Sequence, residues 1–174
     1  MSMHPLPTRK PNRLPEYDYS QNGAYFITFC TEGKQKLLSE IVGDGVLDVP
    51  TVQLTTYGKI LDELLQAVNA HYKGICLEKY IIMPNHVHFI VFINTEEIDD
   101  PCNGTSRTPS PTNATIPRLV STLKRLTNRK IGKNIWQRSY YDHVIRDEND
   151  FLRIWNYIDG NPSKWQEDCY YLES

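Results

Sequence analysis

No stretch of this 174-residue chain approaches the roughly 18 consecutive apolar residues that a membrane-spanning helix requires. The sequence therefore predicts a protein with no membrane partner. Residues 1–14 are basic but hold no apolar core of the kind a secretory signal carries. Cysteine is sparse: Cys30, Cys76, Cys102 and Cys169 stand far apart, with no CxxC pair. That argues against a zinc ribbon or a disulfide framework and fits reduced thiols in the cytoplasm. Internal repeats are absent as well. What is present is one domain's length with 40% hydrophobic and 11% aromatic residues, enough to bury a core.

Acidic residues are missing from one long stretch. Between Pro101 and Tyr141 there are eight basic residues (Arg107, Arg118, Lys124, Arg125, Arg129, Lys130, Lys133 and Arg138) and no Asp or Glu. The net charge is −2 because the balancing acids gather elsewhere, at Glu96, Glu97, Asp99 and Asp100 and from Asp142 to Asp150. A polyanion responds to the local field more than to the total. The acid-free stretch is thus a candidate phosphate-binding surface, with a solvated, partnerless helix face as the alternative.

Residues 1–22, rich in Pro, Arg, Asn and Tyr, read as an extended N-terminal arm, and 23–174 as a single domain. Residues 24–30 (AYFITFC) form a β-branched and aromatic run between glycines, a buried strand. A hairpin-like excursion follows over 34–54. Ile60, Leu61, Leu64, Leu65 and Val68 recur at helical spacing and predict a helix over 56–72. Strands over 75–83 and 86–93 meet at a tight turn, Pro84-Asn85. Residues 94–116, acidic and then rich in Thr, Ser, Pro and Asn, read as a variable, mobile surface loop.

A basic amphipathic helix over 117–131 would turn Leu119, Val120, Leu123 and Leu126 inward and Lys124, Arg125, Arg129 and Lys130 outward, with Gly132 ending it. Short extended pieces over 135–145 precede a last helix over 148–160, with Asp147 as N-cap and Pro162 as its stop. This order suits an α+β fold, a ferredoxin-like antiparallel sheet with helices packed on one face.

The richest local pattern is MPNHVHFIV, Met83 to Val91. Residues i and i+2 of a strand share a face, so His86 and His88 project side by side while Val87, Phe89 and Val91 point to the core. Two imidazoles on a rigid strand are half of a metal site or of an acid–base pair. They also suit a plain hydrogen-bonded pair on a half-exposed sheet. Metal strands that need further histidines find only His4, His71 and His143, and a histidine-triad hydrolase would need His where Ile90 stands. In the last helix, Tyr157 and Asn161 lie one turn apart beside the stripe Phe151, Ile154, Trp155 and Ile158. They could serve the pair, or serve as a packing residue and a helix cap.

MPNHVHFIV resembles the His-hydrophobic-His (HUH) motif of the single-tyrosine transposases that act on single-stranded DNA. WQRSYYDHVIRDENDFLRIWNYIDGNPSKW, Trp136 to Trp165, is similar to the C-terminal signature of the REP-associated branch, and YDYSQNGAYFITFCT, Tyr17 to Thr31, also fits. The resemblance spans nearly the whole chain apart from the loop after Asn94. It implies an enzyme that cuts and rejoins single DNA strands beside hairpins. It maps the metal pair onto His86 and His88, the nucleophile onto Tyr157 and a third, helix-borne ligand onto Asn161. The implied cofactor is a divalent ion, Mn²⁺ or Mg²⁺, and the implied partner is single-stranded DNA with hairpins. Monomer and homodimer both stay open, as does a tyrosine supplied in cis or in trans.

The DNA-binding set expected from the basic stretch is Arg118, Lys124, Arg125, Arg129, Lys130, Lys133 and Arg138. Trp136 is a candidate for stacking on unpaired bases. Tyr140 and Tyr141 are rival nucleophiles that suit packing or base stacking better, and His143 suits a structural hydrogen bond better than proton transfer. A phosphoesterase using water and a non-catalytic hairpin binder are the competing readings.

Overall fold

The structure, a computed structural model, describes residues 21–43, 50–94, 96 and 115–172. The expected arm (all but its last two residues), Arg107 and most of the expected loop over 94–116 lie outside the described residues. Along the chain run β1 (Gly23–Cys30), β2 (Ser39–Val42), β3 (Thr51–Leu54), α1 (Thr56–Gln66), α2 (Val68–His71), β4 (Ile75–Ile82), β5 (His86–Ile93), α3 (Thr115–Ile131), β6 (Tyr141–Ile145) and α4 (Glu148–Gly160).

The main sheet has the order β4-β5-β1-β6, with every neighbour antiparallel. Helices α1 and α3 make the two crossovers, which gives the ferredoxin-like arrangement expected from the element order. The excursion over 34–54 is a separate antiparallel ribbon, β2 with β3, tied to the sheet where Ser39 Oγ donates to the Ile82 carbonyl at 2.8 Å.

Strand alternation sorts the side chains into two layers. Tyr25, Ile27 and Phe29 of β1 and Val87, Phe89 and Val91 of β5 form the larger core with Leu61 and Leu65 of α1 and Leu119, Val120 and Leu123 of α3. Phe26 and Ile90, from the intervening positions, meet Ile154 and Ile158 of α4 on the other face. The helices therefore divide between the faces: the one-face expectation holds for α1 and α3, while α4 covers the opposite side. Two-sided burial is why β1 and β5 read as nearly continuous apolar runs rather than alternating ones. Lys79 of β4 pins α4 to the sheet edge, its Nζ 2.6 Å from an Asp159 oxygen and 3.8 Å from the centre of the Trp155 ring.

Two local expectations change. The helix expected over 56–72 is interrupted at Ala67, where the Ala70 N–H bonds the Ala67 carbonyl in a tightened turn. Asp147 caps α4 as expected, its side chain accepting from Asp150 N. Pro162, however, does not stop the chain from turning. It opens a 3-10 helix, Pro162–Glu167, because proline is tolerated at a first helical position where no N–H is needed. That extra turn buries Trp165 and brings Asp168 and Tyr170 back over the sheet.

Candidate active site

The antiparallel register sets Cys30 opposite His86 and Thr28 opposite His88. His86 and His88 are both buried. Their Nε2 atoms lie 2.9 Å apart, and each Nδ1 is engaged from behind. The Asn85 amide donates through Nδ2 to the carbonyls of Lys34 (3.1 Å) and Tyr170 (2.8 Å). Its oxygen is therefore the atom that faces His86 Nδ1 at 2.8 Å. An oxygen there requires the proton on Nδ1, so the Nε2 lone pair of His86 points into the site. His88 Nδ1 shares a 2.6 Å hydrogen bond with the Thr28 hydroxyl, which can accept or donate by rotation. Burial depresses the pKa of both rings, His86 to about 3, so neutral imidazoles, the ligand form, are the resting state.

Helix α4 brings Tyr157 to this pair within one chain. Its hydroxyl lies 3.3 Å from His88 Nε2 and donates to Asp168 Oδ2 at 3.2 Å. The ring stands edge-on to His88, centroids 5.2 Å apart. Burial and the Asp168 charge push the phenol's pKa up, and the Asn161 amide works the other way. Asn161, one helical turn on, donates to Asp168 Oδ2 at 3.2 Å. The Tyr170 ring covers His86 at 4.6 Å.

His86, His88 and Asp168 place one ligand atom each within 4.8 Å of one another. Two ligands at right angles on an octahedral ion with bonds of about 2.0–2.1 Å stand about 2.9–3.0 Å apart, which matches the Nε2 separation. Asn161 Oδ1 is buried without a hydrogen-bond partner, an acceptor that a cation would satisfy. The donor set, two nitrogens with carboxylate and amide oxygens, fits Mn²⁺ and can serve Mg²⁺.

The structure thus gathers His86, His88, Tyr157 and Asn161. Sequence reasoning missed Asp168, Tyr170, Asn85 and Thr28. Thr28 could have been found as the one polar residue inside AYFITFC. Asn85 was read only as a turn residue, and nothing in the sequence marked Asp168.

The basic stretch is placed differently. Helix α3 packs on the sheet face opposite the histidines, so its cations do not border them. Arg118, Arg125 and Arg129 are exposed there, as are Lys133 and Arg138 beyond the helix. Lys130 pairs with Glu63 of α1 at 2.8 Å. Lys124, expected outward, turns in: its Nζ donates to the Gln137 and Ser139 carbonyls at 2.8 Å each, and burial lowers its pKa to about 8. Trp136, a stacking candidate, is core, 3% exposed and edge-on to Phe29 at 4.8 Å. Tyr140 packs against the same core, and His143 Nε2 pairs with Asp150 at 2.7 Å. The cations that neighbour the site are Lys34, which donates to the Cys169 carbonyl, and Arg153 and Lys164, which line the two hollows beside Tyr157.

No known protein-family profile matches the chain. An uncharacterized protein of Haemophilus influenzae is 31% identical over 95% of this chain and 94% of its own length. A second protein of the same organism, provisionally named a REP-associated tyrosine transposase, is 22% identical over 84% of this chain and 74% of its own. A solved REP-associated tyrosine transposase bound to a REP hairpin shares the fold, with a TM-score of 0.58 and 21% identity over 88% of this chain and 73% of that one. The chain belongs to the family of the 31%-identical Haemophilus influenzae protein, and its resemblance to the REP-associated tyrosine transposases holds in sequence and in fold.

Proposed function

We propose that this chain is a metal-dependent DNA strand transferase. It cuts a single strand beside a hairpin, keeps the 5′ end as a phosphotyrosine on Tyr157, and rejoins it to a 3′-hydroxyl. The observation that carries this reading is the convergence of the Tyr157 hydroxyl, two imidazole Nε2 atoms and the Asp168 carboxylate in one chain. A phenol in that position supplies the covalent nucleophile that strand transfer needs and that hydrolysis by water does not. The transposase names of the relatives, one of them solved with a REP hairpin, support the same substrate class.

In the cut, the Tyr157 oxygen bonds to phosphorus and the bond from phosphorus to O3′ breaks. The phenolic proton passes to Asp168, which already accepts its hydrogen bond, and the departing O3′ takes a proton from solvent. The products are a phosphotyrosine and a free 3′-OH. Because the phenol is a fair leaving group, a 3′-OH reverses the step without ATP. His86 and His88, with Asp168 and the Asn161 oxygen, would hold a divalent ion, Mn²⁺ or Mg²⁺, whose charge offsets that of the scissile phosphate. The exposed Arg118, Arg125, Arg129, Lys133 and Arg138 hold hairpin phosphates on the far side of the sheet. One chain carries every group this reading needs, so a monomer suffices.

The test is incubation of end-labelled hairpins bearing unpaired flanks with the protein and Mn²⁺, followed by a denaturing gel. A covalent adduct that maps to Tyr157 and disappears in EDTA is expected. Cleavage without an adduct would instead make the protein a phosphoesterase using water. Binding without cleavage in either metal would make it a hairpin binder only.

A further inference from the structure

A hollow of about 450 Å³ opens on one side of Tyr157. Tyr141 and Tyr157 line it, both steeply inclined to Phe26 (71° and 87°) at centroid distances of 6.5 and 6.1 Å. Phe26 itself stacks on His88 at 5.2 Å, so the hollow's aromatic lining is continuous with the imidazole pair. Tyr141, 47% exposed, is one of the largest apolar surfaces the described residues leave open. At the rim Asp150 holds two groups at once, His143 Nε2 on one oxygen and Arg153 Nη2 on the other. The carboxylate fixes the guanidinium, whose remaining N–H donors stay available at the mouth.

An aromatic hollow beside a phosphate-handling site needs an occupant with an apolar face and a polar edge, attached to a phosphate within reach of Tyr157. We propose that the hollow takes one unpaired nucleobase of the strand that Tyr157 attacks, a nucleotide adjoining the scissile phosphate. The base inserts beside Tyr141, and Arg153 donates to its acceptor edge. The inference rests on the strand-transfer reading and names a further part of its substrate. Base–aromatic stacking accepts any base face, so Tyr141 supplies hold and Arg153 supplies orientation. Tyr141, for which packing or base stacking was already the better expectation, becomes a substrate-binding residue.

The experiment uses the full chain in EDTA, so that binding is read without cleavage. The probes are DNA hairpins in which 2-aminopurine replaces each unpaired base in turn. One position is expected to lose most of its emission on saturation with protein, through stacking. Tyr141→Ala should restore that emission and weaken the unmodified strand roughly tenfold, while leaving unchanged the affinity for a strand abasic at that position. Tyr141→Phe, which keeps the ring, should keep the quench. Hairpin binding with no quenched position overturns this proposal alone, as does a Tyr141→Ala loss equal on normal and abasic strands. Failure to bind any hairpin overturns the strand-transfer reading and this proposal with it.

Discussion

The Tyr157 hydroxyl rests 3.3 Å from His88 Nε2 although 69 residues separate them in the chain. The contact requires α4 to lie on the sheet face that α1 and α3 leave open. It also puts the proposed nucleophile in the same chain as the imidazoles. Tyr157→Phe is expected to reduce formation of a denaturation-resistant DNA adduct by about 10³-fold or more while binding of hairpins is retained. Adduct formation by the variant at the wild-type rate would move the nucleophile elsewhere.

The proposed metal site has a readout that needs no catalysis. A ligand that binds only the folded state, at 100 times its dissociation constant, stabilises by about 2.7 kcal/mol. Mn²⁺ should therefore raise the melting temperature of the wild-type protein, and His88→Ala should remove the rise. An equal rise in both proteins would place the ion somewhere other than the paired rings.

Asn85 orients His86 and joins it to two backbone carbonyls. Asn85→Ala leaves both carbonyls and one ring nitrogen without that partner. We expect a loss of about 2–3 kcal/mol in unfolding free energy and a 10- to 100-fold weaker Mn²⁺ affinity. Denaturant titration and calorimetry check the two effects separately.

Lys124 makes a pH-dependent contribution of known sign. Its folded pKa, about 8, lies below its ordinary 10.5, so between these values the unfolded chain binds more protons. Stability from this group is full above about pH 10.5 and is lost as the pH falls to about 8. The difference in melting temperature between wild type and Lys124→Met should change across pH 8–10.5 and stay flat from pH 6 to 7.5. Hairpin affinity at pH 7 should be unaltered, because the ammonium is spent on carbonyls.

The exposed arginines of α3 behave oppositely. Arg125→Ala and Arg129→Ala should leave stability unchanged and weaken hairpin binding, each lowering the slope of log affinity against log salt by about 0.7–0.9. Binding curves at several salt concentrations read this directly. Unchanged slopes would remove α3 from the DNA contact.

Much of this fold is legible in the sequence because local chemistry and tertiary demand agree. Asp147 caps an acidic first turn, and α4 follows over the expected span. The run AYFITFC is apolar on both faces because both faces are buried. The histidine pair is legible for the same reason, since period-2 geometry leaves it only one arrangement. The third dimension is what sequence leaves out. Lys124 has the spacing of an outward residue, yet two carbonyls after α3 draw it in. Trp136 offers a stacking surface but fills the space beside Phe29. Asp168 and Tyr170 are invisible because Pro162 looks like an end, while in fact the chain turns on through six more residues.

Tyr157, Asn161 and Asp168 all come from one contiguous piece of chain, and the two rings come from another. The centre is therefore cut by a single seam, with Lys79 fastened across it to Asp159 and Trp155. Distances within each half are set by the local fold of one segment and its own hydrogen bonds, whereas every separation between the halves is adjusted by how one helix seats on one strand. Evolution or engineering at that fastening would retune the whole centre together without touching any of the groups that compose it.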